Sequence, residues 1–451
     1  MTKLKCFKLI IAFFCFLFLL IPVFSQIFVC ATPPIPDTSG AEHIYVYNFE
    51  SEQVIYSKGE MSSKIYPAST VKIMSGLVAL KYLCNRQDDL ITLTQDILEG
   101  VEGFTVNFKV GDTVAIRDLL YGLICGGGND AAIALANICS GSVDAFVEEM
   151  NKTAVSLGMS DTHYTNPTGI DSPDMKTTLK DTVIISKKAI ENELFVKIAS
   201  TNSYTYSPEN ESQPKTIANR NALISNYSAI GYQNKKVKGL NAGMTDNGGY
   251  CVSAYATNGQ DTYLCVVMGG RETSTGKLMS YAVTNSLLTY FFDNYTYTKI
   301  AKKGDRIGEL AVDLALPTNG SQAVIADCVL ESDVYAFAPK NIDYKRDLTY
   351  KTYYHNDTLV APVYENLIVG GVDIYHNGTY LASAKLITNS YVAESKLLII
   401  LENMKYYILS RTTFLFIFIL VPSVLAYFYI TVWRSKIRKR KAIEKESIQK
   451  K

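Results

Sequence analysis

Two long hydrophobic stretches stand out near the two ends of the chain. The first, residues 9–31, is interrupted only by Pro22, Ser25 and Gln26, and three lysines precede it. A basic start followed by an apolar run is typical of an export signal, and this run is also long enough to remain as an anchor. We therefore predict a signal peptide or N-terminal anchor over residues 1–31 and a linker over residues 32–40.

The second hydrophobic stretch, Thr412 to Val432, carries no charge and is followed by Trp433. Six cations come within the next eight positions: Arg434, Lys436, Arg438, Lys439, Arg440 and Lys441. Such a cluster stays on the cytoplasmic side of a membrane. The pattern predicts a transmembrane helix over 410–433, in contact with membrane lipid, and a basic cytoplasmic tail over 434–451. The residues between the two apolar stretches are then extracytoplasmic, in a cell-membrane protein held by a single C-terminal anchor.

Between these ends, the period of the apolar positions changes along the chain. Alternation predicts a hairpin of Ile44–Phe49 with Val54–Tyr56, and paired strands in Val237–Met244 and Cys251–Met268 around a turn at Thr245–Gly249. Apolar helical runs are predicted over two segments, Thr70–Cys84 and Leu119–Ile138, the second interrupted by three glycines. Helices between an early hairpin and late strands indicate an α+β domain over 41–294, with helices packed on an antiparallel sheet.

After about Asn294 the pattern changes to short strands separated by Gly, Asn and Asp turns. This pattern continues to about Leu397 and predicts a separate small all-β domain over 295–400. A short connection then leads to the predicted membrane helix.

Charge and composition exclude several classes of function. The 44 basic and 43 acidic residues give a formal charge of +1, so nothing indicates nucleic acid as a partner. The nine cysteines show no CxxC spacing and the four histidines are scattered, so neither a metal site nor a disulfide framework is predicted.

The motif with the clearest chemistry is Ser69-Thr70-Val71-Lys72. On a helix, positions i and i+3 share a face, so the Lys72 amine can reach the Ser69 hydroxyl. A serine nucleophile needs a neighbouring base, and a lysine can serve if burial lowers its pKa. Alone the motif is weak, because a capping serine followed by a surface lysine has the same spacing.

The surrounding sequence resembles that of the serine D-alanyl-D-alanine carboxypeptidases, the low-molecular-mass penicillin-binding proteins. The resemblance runs from about Ala41 to Tyr290 through an ordered series of segments. They are YPASTVKIMSGLVAL, VGDTVAIRDLLYGLI, NDAAIALA, MSDTHYTNPTGID, VKGLNAGMTDNGGYCVSA and YLCVVMGG. It implies a penicillin-binding, β-lactamase-like transpeptidase fold. The later β-rich region and the C-terminal anchor also fit this family's layout.

The resemblance implies a role for each matching residue. Ser69 would attack the carbonyl between the two terminal D-alanines of a peptidoglycan stem peptide, with Lys72 as general base. Asn129 would contact Lys72 and the substrate amide, and the backbone N–H groups of Ser69 and Met244 would form the oxyanion hole. Gly243 would allow close approach of the substrate. β-Lactams would acylate the same serine, and the reaction needs no metal or organic cofactor.

Three positions depart from the family pattern. Gly127 stands where the S-x-N motif has its serine, and Asn241-Ala242-Gly243 stands where the family has K-T-G. The missing groups relay a proton and hold the terminal carboxylate of the substrate. Loss of each is expected to slow the reaction on the order of 10²-fold.

Two interpretations therefore remain open. In the first, the protein is an active carboxypeptidase in which Asn241, ordered water and a nearby arginine, Arg220 or Arg271, hold the carboxylate. In the second, it is a catalytically weakened peptidoglycan-binding or regulatory protein. The retention of Ser69, Lys72 and Asn129 favours the first, because a scaffold does not need their chemistry.

Overall fold

The computed structural model describes residues 33–317, 324–409 and 411–449 of the 451-residue chain. The predicted N-terminal export segment therefore lies outside the described residues. The chain divides into two compact units, Met1–Thr298 with Ala336–Ile342 and Lys299–Tyr335 with Asp343–Lys451. Helices and antiparallel sheets occur together, which confirms the predicted α+β class.

A five-stranded antiparallel sheet organises the first unit. The strands before residue 295 in the described part of the chain are β1 His43–Asn48, β2 Gln53–Lys58, β3 Leu90–Thr92, β4 Thr113–Ala115, β5 Ser203–Tyr206, β6 Lys215–Ala218, β7 Val237–Thr245, β8 Gly249–Thr257 and β9 Thr262–Gly270. The main sheet has the order β2-β1-β9-β8-β7, so β7 is an edge strand. The predicted hairpin is confirmed as β1 and β2, which pair antiparallel.

Helices cover both faces of this sheet. Those before residue 295 are α1 Val71–Leu83, α2 Ile116–Ile124, α3 Asn129–Ser140, α4 Val143–Ser156, α5 Leu179–Ile190, α6 Glu193–Ala199 and α7 Met279–Asn294. Successive residues of a strand point to opposite faces. Accordingly, Tyr45 joins the apolar cluster formed with α1 to α6, whereas its neighbours Ile44 and Val46 join the cluster formed with α7.

The predicted strand region Cys251–Met268 consists of two strands rather than one. β8 and β9 are separated by a turn in which the side chain of Asn258 accepts hydrogen bonds from the backbone N–H groups of Gln260 and Asp261, at 3.0 and 2.8 Å. Asparagine commonly stabilises turns in this way. The two predicted helical runs are confirmed, with α2 and α3 separated by the glycine-containing segment 125–128.

β-Strands dominate the described chain between residues 295 and 388, and most of them lie in the second unit. The strands from residue 295 onward in the described ranges are β10 Tyr295–Ala301, β11 Arg306–Asp313, β12 Val324–Leu330, β13 Val334–Pro339, β14 Leu348–Tyr354, β15 Thr358–Val360, β16 Ile368–His376 and β17 Thr379–Thr388. Six of them form one sheet of order β14-β16-β17-β12-β11-β15.

Two helices end the chain, α8 Lys396–Leu409 and α9 Arg411–Gln449. Within the described residues, one helical stretch, Phe414–Ile443, is long and apolar enough to cross a membrane. It overlaps the segment predicted as the transmembrane helix. The helix continues into the basic residues that follow Trp433.

Candidate active site

Ser69 lies in a short 3₁₀ turn, Ala68–Thr70, that leads directly into α1. The preceding residue, Ala68, has φ of 48°, a left-handed conformation that few residues other than glycine adopt. Gly169 and Gly248 pack closely on Ala68: a Cβ at Gly169 would collide with the carbonyl group of Ala68, and one at Gly248 would lie 3.0 Å from its Cβ. Strained backbone held by its surroundings is a recurrent feature of functional sites. Here it presents a half-buried serine side chain.

The edge strand β7 passes directly beside this serine. A methyl group at Gly243 would overlap both Oγ and Cβ of Ser69, so only glycine leaves room there. The next residue, Met244, is 47% exposed. The close approach places the backbone of β7 against the Ser69 hydroxyl, as the glycine in this motif predicts.

Lys72 lies in the first turn of α1 and is only 3% exposed. Its amine donates a 2.6 Å hydrogen bond to the carbonyl oxygen of Thr168. Burial, together with the nearby Arg220 cation, lowers the pKa of Lys72 to about 7, against the opposing effect of Asp130. A substantial fraction of this amine is therefore neutral near neutral pH and able to accept a proton.

No hydrogen bond joins Ser69 to Lys72 among the residues that the structure describes. The Lys72 amine is directed to Thr168, and the Ser69 hydroxyl keeps its donor unengaged. Hydrogen bonds between catalytic groups commonly tighten only when substrate is bound. Without substrate, the Lys72 amine therefore binds a backbone carbonyl, and Lys72 follows Ser69 by three residues at the start of α1.

Asn129 begins α3 and is anchored on both its backbone and its side chain. Its N–H donates to the carbonyl of Phe104 at 2.8 Å, and its Nδ2 donates to the carbonyl of Glu102 at 2.7 Å. Its Oδ1 is buried without a hydrogen-bond partner. Because buried polar atoms are nearly always paired, this oxygen is suited to accept a donor from a ligand.

Asp130 fixes the loop that carries those two carbonyls. Its carboxylate accepts hydrogen bonds from the backbone N–H groups of Val106, Phe108 and Ala131 at 2.9 to 3.1 Å. Burial raises the pKa of this carboxyl, and the same hydrogen bonds oppose that rise. The loop over residues 102–108 is thereby held against the start of α3.

Arg220 is the arginine that the fold brings to the site. Its guanidinium lies 3.6 Å from the ring centroid of Phe104, and its backbone N–H donates to the carbonyl of Cys125 at 3.0 Å. Its side chain also borders Gly127, because a Cβ at 127 would lie 3.1 Å from Cδ of Arg220. The arginine thus fills the space beside the position where the family has a serine.

The second arginine considered from the sequence, Arg271, lies elsewhere. Its side chain is 75% exposed and pairs with Glu42 at 2.8 Å, at the ends of β9 and β1. The structure therefore separates the two candidates. Arg220 lies near the Lys72 amine, whereas Arg271 does not interact with it.

The two remaining substituted positions, Asn241 and Ala242, face opposite sides of the sheet. Asn241 is buried with its Oδ1 unpaired, and its partner across β8 is Ser253. Ala242 joins the apolar cluster formed with α7. Only Asn241 therefore lies on the side of β7 that Gly243 turns toward the serine.

Two cysteines on the elements that frame the site, Cys125 and Cys251, are not activated thiols. Cys251 pairs with Gly243 across the sheet, and Cys125 precedes the glycine segment after α2. Both are buried, and burial raises the pKa of each thiol to about 12. Both pack as small side chains in the apolar core of the first unit.

Sequence reasoning did not identify Thr168, whose carbonyl receives the Lys72 hydrogen bond. The turn around it is held by Asn166, whose Oδ1 accepts from Thr168 Oγ1 at 2.8 Å and from the Gly169 N–H at 2.8 Å. Asn-Pro-Thr-Gly is a strong turn signal, and that signal could have marked this segment as structured. It could not have revealed the contact with Lys72.

Comparison with known proteins agrees with this architecture. Residues 30–272, more than half of the chain, match the model of the D-alanyl-D-alanine carboxypeptidase family. The fold and the serine–lysine arrangement define a penicillin-binding-protein-like enzyme class. The chain belongs to the D-alanyl-D-alanine carboxypeptidase family, as its motifs predict.

Curated relatives extend the likeness over most of the chain. D-alanyl-D-alanine carboxypeptidase DacD of Escherichia coli (strain K12) is 28% identical over 408 residues, which cover 86% of this chain and 96% of the relative. DacF of Bacillus subtilis (strain 168) is 26% identical over 338 residues, covering 74% and 81%. Penicillin-binding protein 6B from Escherichia coli, a crystal structure, matches with a TM-score of 0.56 and 25% identity over 79% of this chain and 98% of that chain.

Proposed function

We propose that this protein is a serine D-alanyl-D-alanine carboxypeptidase that removes the terminal D-alanine from peptidoglycan stem peptides. One observation carries the proposal. The Ser69 hydroxyl packs against Gly243 of the edge strand β7, and Lys72, three residues after Ser69, is a buried lysine whose pKa is lowered to about 7. The experiment that tests it is release of D-alanine from a stem pentapeptide by the full chain in detergent micelles, beside labelling by a fluorescent penicillin.

The proposed reaction has two steps. Neutral Lys72 removes the proton from Ser69 as Oγ attacks the carbonyl between the two D-alanines. The backbone N–H groups of Ser69 and Met244 stabilise the oxyanion, and Asn129 positions the substrate amide. The C–N bond then breaks, the proton passes to the departing D-alanine, and water hydrolyses the acyl-enzyme. Residues 41–294 would form the catalytic domain and 295–400 a separate β domain.

The proposed carboxylate site uses Arg220 and Asn241 in place of the missing lysine and threonine. Arg220 lies beside Gly127 and is held by Phe104, so it supplies a cation close to Lys72. Asn241 lies two residues before Gly243 on the same edge strand. An arginine and an amide can together pair with a carboxylate through charge-assisted hydrogen bonds.

The proposed site predicts how the reaction depends on pH. Because Lys72 accepts a proton only when neutral, the acylation rate should rise with pH and should reach half of its maximum at a pH of about 7. We expect this rise when the labelling rate is measured with fluorescent penicillin between about pH 5.5 and 9. Lys72→Met should lose at least about 10²-fold in rate and show no such rise. A wild-type rate that stays flat or falls with pH would exclude Lys72 as the base.

Arg220 should affect both substrate binding and that pH profile. For Arg220→Met we expect kcat/KM for a stem peptide to fall about 10- to 100-fold, because the substrate carboxylate loses its cation. The pH midpoint should also move upward, since the Arg220 charge lowers the pKa of Lys72.

A matched control for Arg220→Met is Arg86→Gln. Arg86 is an exposed arginine paired with Asp89 at 2.7 Å. Arg86→Gln should leave both kcat/KM and the pH midpoint unchanged. Arg220→Lys keeps a cation at this position, so its pH midpoint should lie much closer to that of the wild type than the midpoint of Arg220→Met. An unchanged midpoint together with unchanged kcat/KM in Arg220→Met would refute the role of this arginine.

We further propose that the apolar helix near the C-terminus anchors the chain in the cell membrane. The helical stretch Phe414–Ile443 includes an apolar segment, which ends before Arg434 and is long enough to span a bilayer. The basic residues that follow Trp433 would lie on the cytoplasmic side, against anionic lipid headgroups. The catalytic unit would then face the cell wall, where its substrate is found.

A further inference from the structure

The loop over residues 102–108 packs beside the glycines that follow α2. Two of its backbone carbonyls accept hydrogen bonds from Asn129, and two of its backbone N–H groups donate to Asp130. Val106 packs against the glycine segment, because a Cβ at Gly126 would lie 2.7 Å from one of the valine methyl groups. The backbone of this loop is therefore fixed relative to the start of α3.

Phe104 carries the side chain through which this loop reaches Arg220. Its ring centroid lies 3.6 Å from the guanidinium carbon, a distance at which a cation is attracted to the face of an aromatic ring. Its backbone carbonyl accepts the 2.8 Å hydrogen bond from the Asn129 N–H. Phe104 thus contacts both of the residues that we assign to holding the substrate, Asn129 through its backbone and Arg220 through its ring.

Arg220 is fixed along its backbone, whereas its guanidinium is placed by packing. The Arg220 N–H donates to the carbonyl of Cys125 at 3.0 Å, and its carbonyl accepts from Oγ of Ser228 at 2.6 Å. Among the residues that the structure describes, no acidic side chain pairs with the guanidinium. Burial lowers the pKa of Arg220, as expected for a cation without a counter-ion. The ring of Phe104 therefore determines where this unpaired cation is presented.

The position of this cation also affects the base. The Arg220 charge lowers the pKa of Lys72, and Asp130 acts in the opposite direction. Tyr227 and Tyr281 interact electrostatically with Arg220 itself. Because a Coulombic interaction weakens with distance, a guanidinium released from the aromatic ring would lower the pKa of Lys72 less. The aromatic contact therefore influences both carboxylate binding and the protonation state of the base.

We propose that Phe104 is a positioning residue that holds the Arg220 guanidinium ready for the terminal carboxylate of the substrate. The inference rests on the proposed carboxypeptidase function and deepens its carboxylate site. An arginine loses rotamer freedom when it binds a ligand, so a side chain that orders it beforehand favours binding. Because Asn129 holds the same loop, one structural unit places the contacts to the carboxylate and to the amide. Phe104 acts through Arg220 and is not a catalytic residue.

The first test is Phe104→Leu in the full chain in detergent micelles. KM for a stem pentapeptide should rise about 5- to 10-fold, with kcat within about 3-fold of the wild type, because binding then has to order the cation. The pH midpoint of penicillin labelling should move upward, since the Lys72 amine experiences less of the Arg220 charge. Phe104→Tyr keeps the ring and should restore both values. Phe104→Met, a second variant without a ring, should behave like Phe104→Leu.

A double-mutant cycle shows whether Phe104 acts through the arginine. Phe104→Leu should cause no further rise in KM and no further shift of the midpoint when Arg220→Met is already present. A wild-type KM and a wild-type midpoint in Phe104→Leu would overturn the proposal. A loss of the same size in the Arg220→Met background would also overturn it, because Phe104 would then act without the arginine.

The matched control is Phe108→Leu, the same change four residues later in the chain. The Phe108 ring is buried in the core, and its centroid lies 5.5 Å from that of Tyr206. Phe108→Leu should lower the melting temperature measured by circular dichroism, because it leaves a cavity, but should keep the wild-type pH midpoint. A midpoint shifted as in Phe104→Leu would contradict a specific role for Phe104.

A binding measurement separates this inference from the proposed reaction. A wild type that neither labels nor releases D-alanine would overturn the reaction, and the site is then measured by calorimetric titration of the Ser69→Ala chain with the pentapeptide. In that chain Phe104→Leu should weaken binding about 5- to 10-fold, and it should have no effect beside Arg220→Met. Equal affinities with and without Phe104→Leu, or no binding by either chain, would overturn the positioning role independently of catalysis.

Discussion

Ser69→Ala is expected to abolish labelling by fluorescent penicillin and to reduce release of D-alanine by at least about 10³-fold. The hydroxyl is the group that would form the covalent bond, and neither Cys125 nor Cys251 can replace it, because burial raises the pKa of both thiols to about 12. Gel fluorescence after penicillin treatment and an enzymatic assay of free D-alanine measure the two effects.

The matched control for this change is Ser62→Ala. Ser62 is an exposed serine seven positions earlier, and its hydroxyl donates to the Glu60 carboxylate. The Ser62→Ala protein should be labelled by penicillin and should release D-alanine like the wild type. Undiminished labelling of Ser69→Ala would place the acylated nucleophile at another residue and remove the basis of the proposed reaction.

Gly243→Ala is expected to slow acylation by about 10²-fold or more while the protein remains folded. The added methyl group would overlap the Ser69 hydroxyl, so the serine or the strand must move away from the productive position. Displacements of about 1 Å commonly cost this much in rate. Penicillin labelling rates measure the loss, and circular dichroism with thermal melting reports whether the fold persists.

Met244→Ala is the informative neighbour for comparison. It removes a side chain that is 47% exposed but keeps the backbone N–H that we assign to the oxyanion hole. Its acylation rate should stay within a few-fold of the wild type. Normal acylation in Gly243→Ala, or a severe loss in Met244→Ala, would contradict the backbone role that we assign to this strand.

The elements that frame the site were predictable because each has a strong local pattern. The helical run that became α1 and the hairpin of β1 and β2 have clear apolar periods, and the family motifs placed Ser69 and Lys72 at the start of that helix. The region Cys251–Met268 was less clear, because its apolar positions continue across a turn that depends on the side chain of Asn258.

The surroundings of Lys72 and Asn129 could not be predicted from residue types. Lys72 donates to the backbone carbonyl of Thr168, 96 residues away in the sequence, and Asn129 donates to that of Glu102. Any residue type can supply a backbone carbonyl, so no pattern of letters marks these partners. They depend on how the chain returns to the site in three dimensions.

The choice between the two arginines was likewise a question of tertiary structure. Both lie between Ala41 and Tyr290, where the sequence resembles the family, and both carry the charge that a carboxylate needs. The fold places Arg220 against Gly127 and Phe104, whereas Arg271 pairs with Glu42 at the ends of β9 and β1. The lack of a side chain at Gly127 leaves space for Arg220, because a Cβ at position 127 would lie 3.1 Å from Cδ of the arginine.

The most direct test of the central claim is mass spectrometry of the full chain during reaction with a pentapeptide ending in two D-alanines. We predict a transient mass increase equal to the peptide acyl group, located by proteolysis on the fragment that contains Ser69. One D-alanine should be released for each acyl group attached. A peptide that binds without forming an adduct, or an adduct formed elsewhere, would show that Ser69 and Lys72 do not carry out this chemistry.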